Sequence, residues 1–142
     1  MPQLYWEDVT EGTALPPLSK TVTVRQLVKY AGVSGDYSEA HYDADYCRRA
    51  GLPGVIIHGA LKSAFIAQMV VDWMGEGGTL REFGVQYRGM DIPGDVLTCR
   101  GRVRRKHKED GHGLVELEVW LENGKGEKTT PGRATVELPL RG

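Results

Sequence analysis

The sequence predicts an α+β domain in which a curved antiparallel sheet wraps one long buried helix. Three observations carry that expectation. Residues 59–74 read as a helix with almost no polar face. Four segments downstream alternate apolar and polar residues with a period of two, the pattern of half-buried strands. Upstream, a short strand and a short amphipathic helix precede a long irregular stretch. A helix that apolar must be covered nearly all round, and a sheet from the same chain can cover it.

The elements follow in order. Leu18 to Thr23 alternates and reads as a strand. Thr23-Val24-Arg25-Gln26 has capping-box spacing, with the Thr hydroxyl and Gln amide placed to satisfy orphan N–H groups. Val24, Leu27, Val28 and Ala31 recur at helical spacing, so a helix runs to about Gly32. Asp43 suits the N-cap of a brief helix that Gly51 stops. Gly59 to Met74 is the strongest helix, roughly 24 Å long at 1.5 Å per residue. Phe83, Val85 and Tyr87 alternate, and Ile92-Pro93-Gly94-Asp95 is a turn. Leu97, Cys99, Gly101 and Val103 share one strand face. Val115, Leu117, Val119 and Leu121 repeat the pattern, and Ala134, Val136, Leu138 and Leu140 close it. A turn near Asp110-Gly111 would set Arg104 opposite Glu116 and Arg102 opposite Glu118.

Composition narrows the function classes. The chain has 142 residues, 40% hydrophobic and 26% charged, with a formal net charge of −1. That is one domain, residues 1–142, with enough chain for a real core. No global field favours nucleic acid or anionic membrane. The basic run Arg102-Val103-Arg104-Arg105-Lys106-His107-Lys108 has no interleaved aromatic platform, so no nucleic-acid partner is expected. No stretch is long and apolar enough to span a bilayer. The N-terminal residues lack the pattern of a signal peptide. Cys47 and Cys99 show no metal spacing, and a cytoplasmic location is the expectation. No metal-protease, nucleotide-loop or dinucleotide motif is present.

The chemistry-bearing residues cluster in the irregular stretch 33–58, and long ordered loops in compact domains usually carry function. Asp36 and His41 lie five residues apart in Ser34-Gly35-Asp36-Tyr37-Ser38-Glu39-Ala40-His41. His58-Gly59 follows at the head of the apolar helix. Alone, Asp36 suits a turn, His41 suits a structural histidine and Gly59 suits an ordinary N-cap. Together they are a carboxylate, an imidazole and a free helix amide. Those are the parts for acid–base chemistry on a carbonyl compound.

A helix wrapped by such a sheet is the hot-dog architecture. Ala31-Gly32-Val33-Ser34-Gly35-Asp36-Tyr37-Ser38-Glu39-Ala40-His41-Tyr42-Asp43 and Gly51-Leu52-Pro53-Gly54-Val55-Ile56-Ile57-His58-Gly59-Ala60-Leu61 resemble the signature of MaoC-like, (R)-specific enoyl-CoA hydratases. Val85-Gln86-Tyr87-Arg88 and Ile92-Pro93-Gly94-Asp95-Val96-Leu97 resemble later motifs of that family. The resemblance implies that Asp36 and His41 are catalytic and that Gly59 supplies an oxyanion-hole amide. It implies (R)-specific hydration of trans-2-enoyl thioesters, or the reverse dehydration. It implies no metal and no redox cofactor, coenzyme A entering only as part of the substrate, with acyl carrier protein as the other carrier. It implies a homodimer, or a heteromer with a related hot-dog subunit. Two departures stand out. Ser38-Glu39 replaces the usual Asn-Pro, and Ala67 stands where some members have Ser. The rival readings are a hot-dog thioesterase and a non-catalytic hot-dog subunit. Arg105, Lys106 and Lys108 are candidates to meet coenzyme A phosphates.

Overall fold

The computed structural model describes residues 2–142. Its five strands are β1 (Leu18–Thr21), β2 (Thr79–Val85), β3 (Val96–Glu109), β4 (His112–Glu122) and β5 (Lys128–Leu138). They form one sheet in the order β1-β3-β4-β5-β2, with every neighbouring pair antiparallel. Three α-helices accompany it: α1 (Val24–Ser34), α2 (Ala44–Arg49) and α3 (Gly59–Met74).

The alternating segments became strands because one side of each could be buried. Cys99 and Val103 of β3, Val115, Leu117, Val119 and Leu121 of β4, and Ala134, Val136 and Leu138 of β5 all point inward. They meet Leu61, Phe65, Ile66, Met69 and Val70 of α3 in one continuous core. Burying a Leu, Val or Phe side chain is worth about 1.5–3 kcal/mol, so this face fixes the register of the sheet.

The bounds of α3 match the sequence expectation, but its burial does not. Ala60, Ala64, Gln68 and Val71 are exposed. They lie three or four residues apart and therefore share one face. The sheet wraps the helix on one side only, which leaves that stripe open in a single chain. No helix among the described residues is long and apolar enough to cross a membrane.

Register also departs from expectation at one point. Arg102 pairs with Glu118 as anticipated, but Arg105 rather than Arg104 stands opposite Glu116. The register shifts between Val103 and Arg105, so Arg104 is the extra residue of a bulge. A one-residue bulge moves every later partner by one. Tyr87 likewise falls beyond the end of β2 rather than within it, and Leu140 beyond β5.

Local capping chemistry behaves largely as the sequence suggests. Thr23 Oγ1 accepts the Gln26 N–H at 3.1 Å; the reciprocal bond from Gln26 to the Thr23 amide does not form. Asp43 Oδ1 accepts the Tyr46 N–H at 3.0 Å and opens α2. Gly35, with φ of 76°, ends α1 in the left-handed region that suits glycine. That stop turns the chain out of the helix just before Asp36.

Candidate active site

Asp36 begins a short exposed loop that is held by its own polar groups. Ser34 Oγ accepts the Asp36 N–H at 3.2 Å, and Asp36 Oδ1 accepts the Ser38 N–H at 3.3 Å. Such side-chain-to-backbone closure is typical of Asp in turns. Tyr42 Oη–H donates to Tyr37 O at 3.0 Å, strapping the loop from the other side. A one-turn 3-10 helix over Glu39–His41 follows. These bonds hold the loop without the Asn-Pro pair that is common in the resembled family.

His41 ends that turn and points inward. Its side chain is 10% exposed, against 53% for Asp36. Nδ1 lies 2.7 Å from Ile56 O, a carbonyl, so it is the protonated nitrogen and donates there. The other nitrogen, Nε2, then carries the lone pair. It lies 3.5 Å from Asp36 Oδ2. Ile56 is itself fixed, its N–H donating to Ala40 O at 2.9 Å.

His58 supplies the floor of the site. Its ring stacks on His41 with centroids 3.7 Å apart and planes 20° from parallel. Tyr30 of α1 meets its edge at 4.8 Å. Nε2–H of His58 donates to Asp36 O at 3.3 Å, and Nδ1 has no partner among the described residues. Burial first, and second the stacked His41 ring, which when protonated opposes a further positive charge, push the His58 pKa below its ordinary value. His58 is therefore neutral at pH 7.

Because the His58 ring turns inward, α3 starts without a side-chain cap. The first amides of a helix have no intrahelical acceptor, and the first turn of α3 holds no acidic residue. Gly59 thus offers an open N–H at the positive end of the helix dipole, next to His58 in sequence. The Tyr87 ring lies across Gly59. A Cβ there would sit 2.9 Å from two ring carbons, so only glycine fits beneath the tyrosine as it stands.

Asp36, His41 and His58 place one ligand atom each within 4.8 Å of one another, a spacing compatible with a metal ion. Ring geometry argues against that use. Imidazole lone pairs lie in the ring plane, and two stacked, nearly parallel rings aim them side by side. A tetrahedral ion bonded at about 2.0–2.1 Å needs them to converge.

The structure thus brings Asp36, His41 and Gly59 to one corner, with Ile56 and His58 fixing the imidazole. His58 stands at the head of the helix in the sequence, where no motif gives it a place in the site. Tyr87 and the Ile56 carbonyl were missed, the latter because backbone acceptors leave no mark in a sequence. The basic turn is occupied locally. Lys106 Nζ and Lys108 Nζ lie 4.1 and 5.0 Å from the Trp6 ring centroid, and Arg105 pairs with Glu116 at 3.4 Å.

A curved antiparallel sheet around one central helix, with this corner at the helix start, defines the hot-dog class. The MaoC like domain family matches residues 8–124, and the chain belongs to that family, related to (R)-specific enoyl-CoA hydratases and dehydratases. Among curated relatives, an (R)-specific enoyl-CoA hydratase of Rhodospirillum rubrum is 27% identical, with 97% of this chain and 94% of that protein covered. A fatty acid synthase subunit beta of Aspergillus oryzae is 38% identical over 76% of this chain. The chain spans only 5% of that subunit's length. Among solved structures, an unliganded R-hydratase from Pseudomonas aeruginosa superimposes with a TM-score of 0.86 at 23% identity, covering 98% of this chain and 88% of that one. The ChsH1-ChsH2 complex from Mycobacterium tuberculosis gives 0.79 at 20%, covering 91% and 98%; it is a hot-dog heteromer. At these identities the two structures speak for the fold.

Proposed function

We propose that the chain hydrates trans-2-enoyl thioesters to (R)-3-hydroxyacyl thioesters, or runs the reverse dehydration, with coenzyme A as the thiol carrier. One observation carries the reading. Asp36 Oδ2 and His41 Nε2 face each other at 3.5 Å beside the uncapped start of α3.

A water held between these two atoms donates one hydrogen to His41 Nε2 and the other to the Asp36 carboxylate. His41 takes the proton as the water oxygen bonds to C3. The C2=C3 electron pair moves toward the thioester, and negative charge grows on its oxygen. The Gly59 N–H meets that charge. Collapse of the enolate then draws the proton back from the dyad to C2, so the elements of water add across one bond and both side chains return to their starting state. A positioned acid or base supplies about 10²–10⁴-fold in rate, and one oxyanion donor roughly 2.7–4 kcal/mol of barrier. Neutral His58 supports the step, since a second cation stacked on His41 would oppose its protonation. The (R) outcome rests on likeness to the Rhodospirillum rubrum hydratase.

The reading includes a second subunit. Asp36 and Tyr37 are exposed, and so is the Ala60–Val71 stripe of α3. β2 is a sheet edge with unpaired backbone groups. A homodimer, or a heteromer with a related hot-dog subunit, would cover them.

The test is a panel of trans-2-enoyl-CoA substrates of varied length and bulk, given to the purified chain. Loss of enoyl absorbance without thiol release, with (R)-3-hydroxyacyl-CoA as product, is the expected result. Thiol release would make it a thioesterase, and inactivity that a co-purified partner restores would make it a supporting subunit.

A further inference from the structure

Lys62 is the one cation in α3, and it is buried. It lies one helical turn after Gly59. Its ammonium donates to Asp91 Oδ2 at 2.9 Å and to Gly89 O at 3.0 Å. Thr129 Oγ1–H donates to the same carboxylate oxygen at 2.6 Å. The Lys62 and Asp91 side chains are 3% and 1% exposed, and Asp91 Oδ1 has no partner among the described residues.

Stability alone is a poor reason for such a pair. Desolvation consumes most of what the attraction returns, and apolar residues of the same volume often serve as well or better. What the pair adds is direction. Its hydrogen bonds join the first turn of α3, the 86–95 connection and the start of β5 in one arrangement, where apolar contacts alone could slide.

The path from the pair to the dyad is unbroken. Asp91 O accepts the Ile57 N–H at 2.8 Å. The neighbouring carbonyl, Ile56 O, accepts from His41 Nδ1 at 2.7 Å. On the other side, the Arg88 and Gly89 N–H groups both donate to Thr129 O at 3.0 Å, next to the Tyr87 ring that covers Gly59. The imidazole and the helix amide are therefore referenced to the same buried carboxylate.

We propose that Lys62, Asp91 and Thr129 are positioning residues, a buried brace that fixes His41 and the Gly59 N–H relative to one another. The inference rests on the reading of His41 and Gly59 as reacting groups. All three members of the brace are buried.

Two variants test it. Lys62→Met with Asp91→Leu removes both charges with side chains of similar length and branching and leaves no lone ion. Asp91→Asn keeps the side-chain size and an acceptor oxygen, and serves if the double variant does not fold. Folding is checked by thermal unfolding. The readouts are kcat and KM on an enoyl-CoA, and the His41 tautomer by ¹⁵N NMR of histidine-labelled protein. A misplaced group slows chemistry more than binding. In each folded variant kcat should fall at least about tenfold, with KM changed less than about threefold. The Nδ1–H tautomer of His41, dominant in the parent chain, should become a mixture. A folded variant with parental kcat and an unchanged tautomer would overturn the proposal. The NMR readout needs no turnover. Inactivity of the parent chain would therefore sink the functional reading, while the tautomer still decides for or against the brace.

Discussion

The outer face of the sheet and the starting corner of α3 both set basic side chains against carboxylates, under opposite conditions. On the sheet, Arg100–Glu122, Arg102–Glu118 and Arg105–Glu116 pair across β3 and β4 in the open. Each of these arginines is about half exposed or more, so water and salt compete with every pair. Several pairs act in parallel, and losing one leaves the others. In the corner, Lys62–Asp91 is sealed from solvent and His41 is nearly so. There each contact has no duplicate: one carbonyl that accepts from Nδ1, one carboxylate facing Nε2, one helix amide. Exposed pairs tune the surface, whereas buried ones dictate position. The sheet face should therefore respond to mutation weakly and additively, and the corner strongly and as a unit.

The largest expected effects come from the dyad. Asp36→Asn and His41→Ala should each lower kcat/KM for enoyl-CoA hydration by about 10²–10⁴-fold; thermal unfolding should stay close to the parent for the exposed Asp36→Asn and fall for His41→Ala, whose ring is buried and bonded to Ile56 O. Next is Gly59→Ala. The added methyl would meet the Tyr87 ring at 2.9 Å, and displacing the ring or the helix start should cost about 10²-fold in kcat. Adding Tyr87→Ala relieves the clash and should recover part of that loss. No recovery would mean that the methyl itself blocks the thioester oxygen.

Smaller and differently shaped is the pH effect of His58. Burial lowers its pKa in the folded chain below the ordinary 6.5. Below about pH 6.5 the unfolded chain therefore binds a proton that the folded chain refuses. Stability is intact above that value and falls as the pH drops through it. The melting temperature of the parent chain should decline as the pH falls below about 6.5, and His58→Gln should flatten that slope while lowering the plateau. An equal slope in both would remove His58 from the account. The smallest effect belongs to the sheet. Arg102→Ala should cost less than about 1 kcal/mol, seen as a slight shift in urea midpoint. The Glu118 carboxyl should move back up toward its ordinary pKa, since the Arg102 hydrogen bond is the main influence holding it down.

The same contrast separates what could be read from the sequence from what could not. Periodicity is written residue by residue, so α3 from Gly59 to Met74 and the inward faces of β3, β4 and β5 were legible. So were the caps at Thr23 and Asp43, which act over three residues. The approach of Asp36 to His41 was legible as a spacing, and so was a helix start at Gly59. The bulge at Arg104 was not, because one extra residue in a run of basic side chains has no signature. The open stripe of α3 was misjudged because Ala60, Ala64 and Val71 in it are apolar, whereas the sheet covers one side only. Lys62–Asp91 spans 29 residues, and pairing across that distance is set by the fold. Its one trace was a lone cation among apolar neighbours, a signal that a buried partner must exist.

The claim that the corner acts as a unit meets its most direct test in a double-mutant cycle on hydration of one enoyl-CoA. Asp36→Asn, His41→Ala and the combined variant are compared with the parent by kcat/KM. If the two groups hold one water between them, either loss already disables the step. The combined variant should then be no worse than the poorer single variant, within about threefold. Losses that multiply, or a single variant with near-parental turnover, would contradict the account.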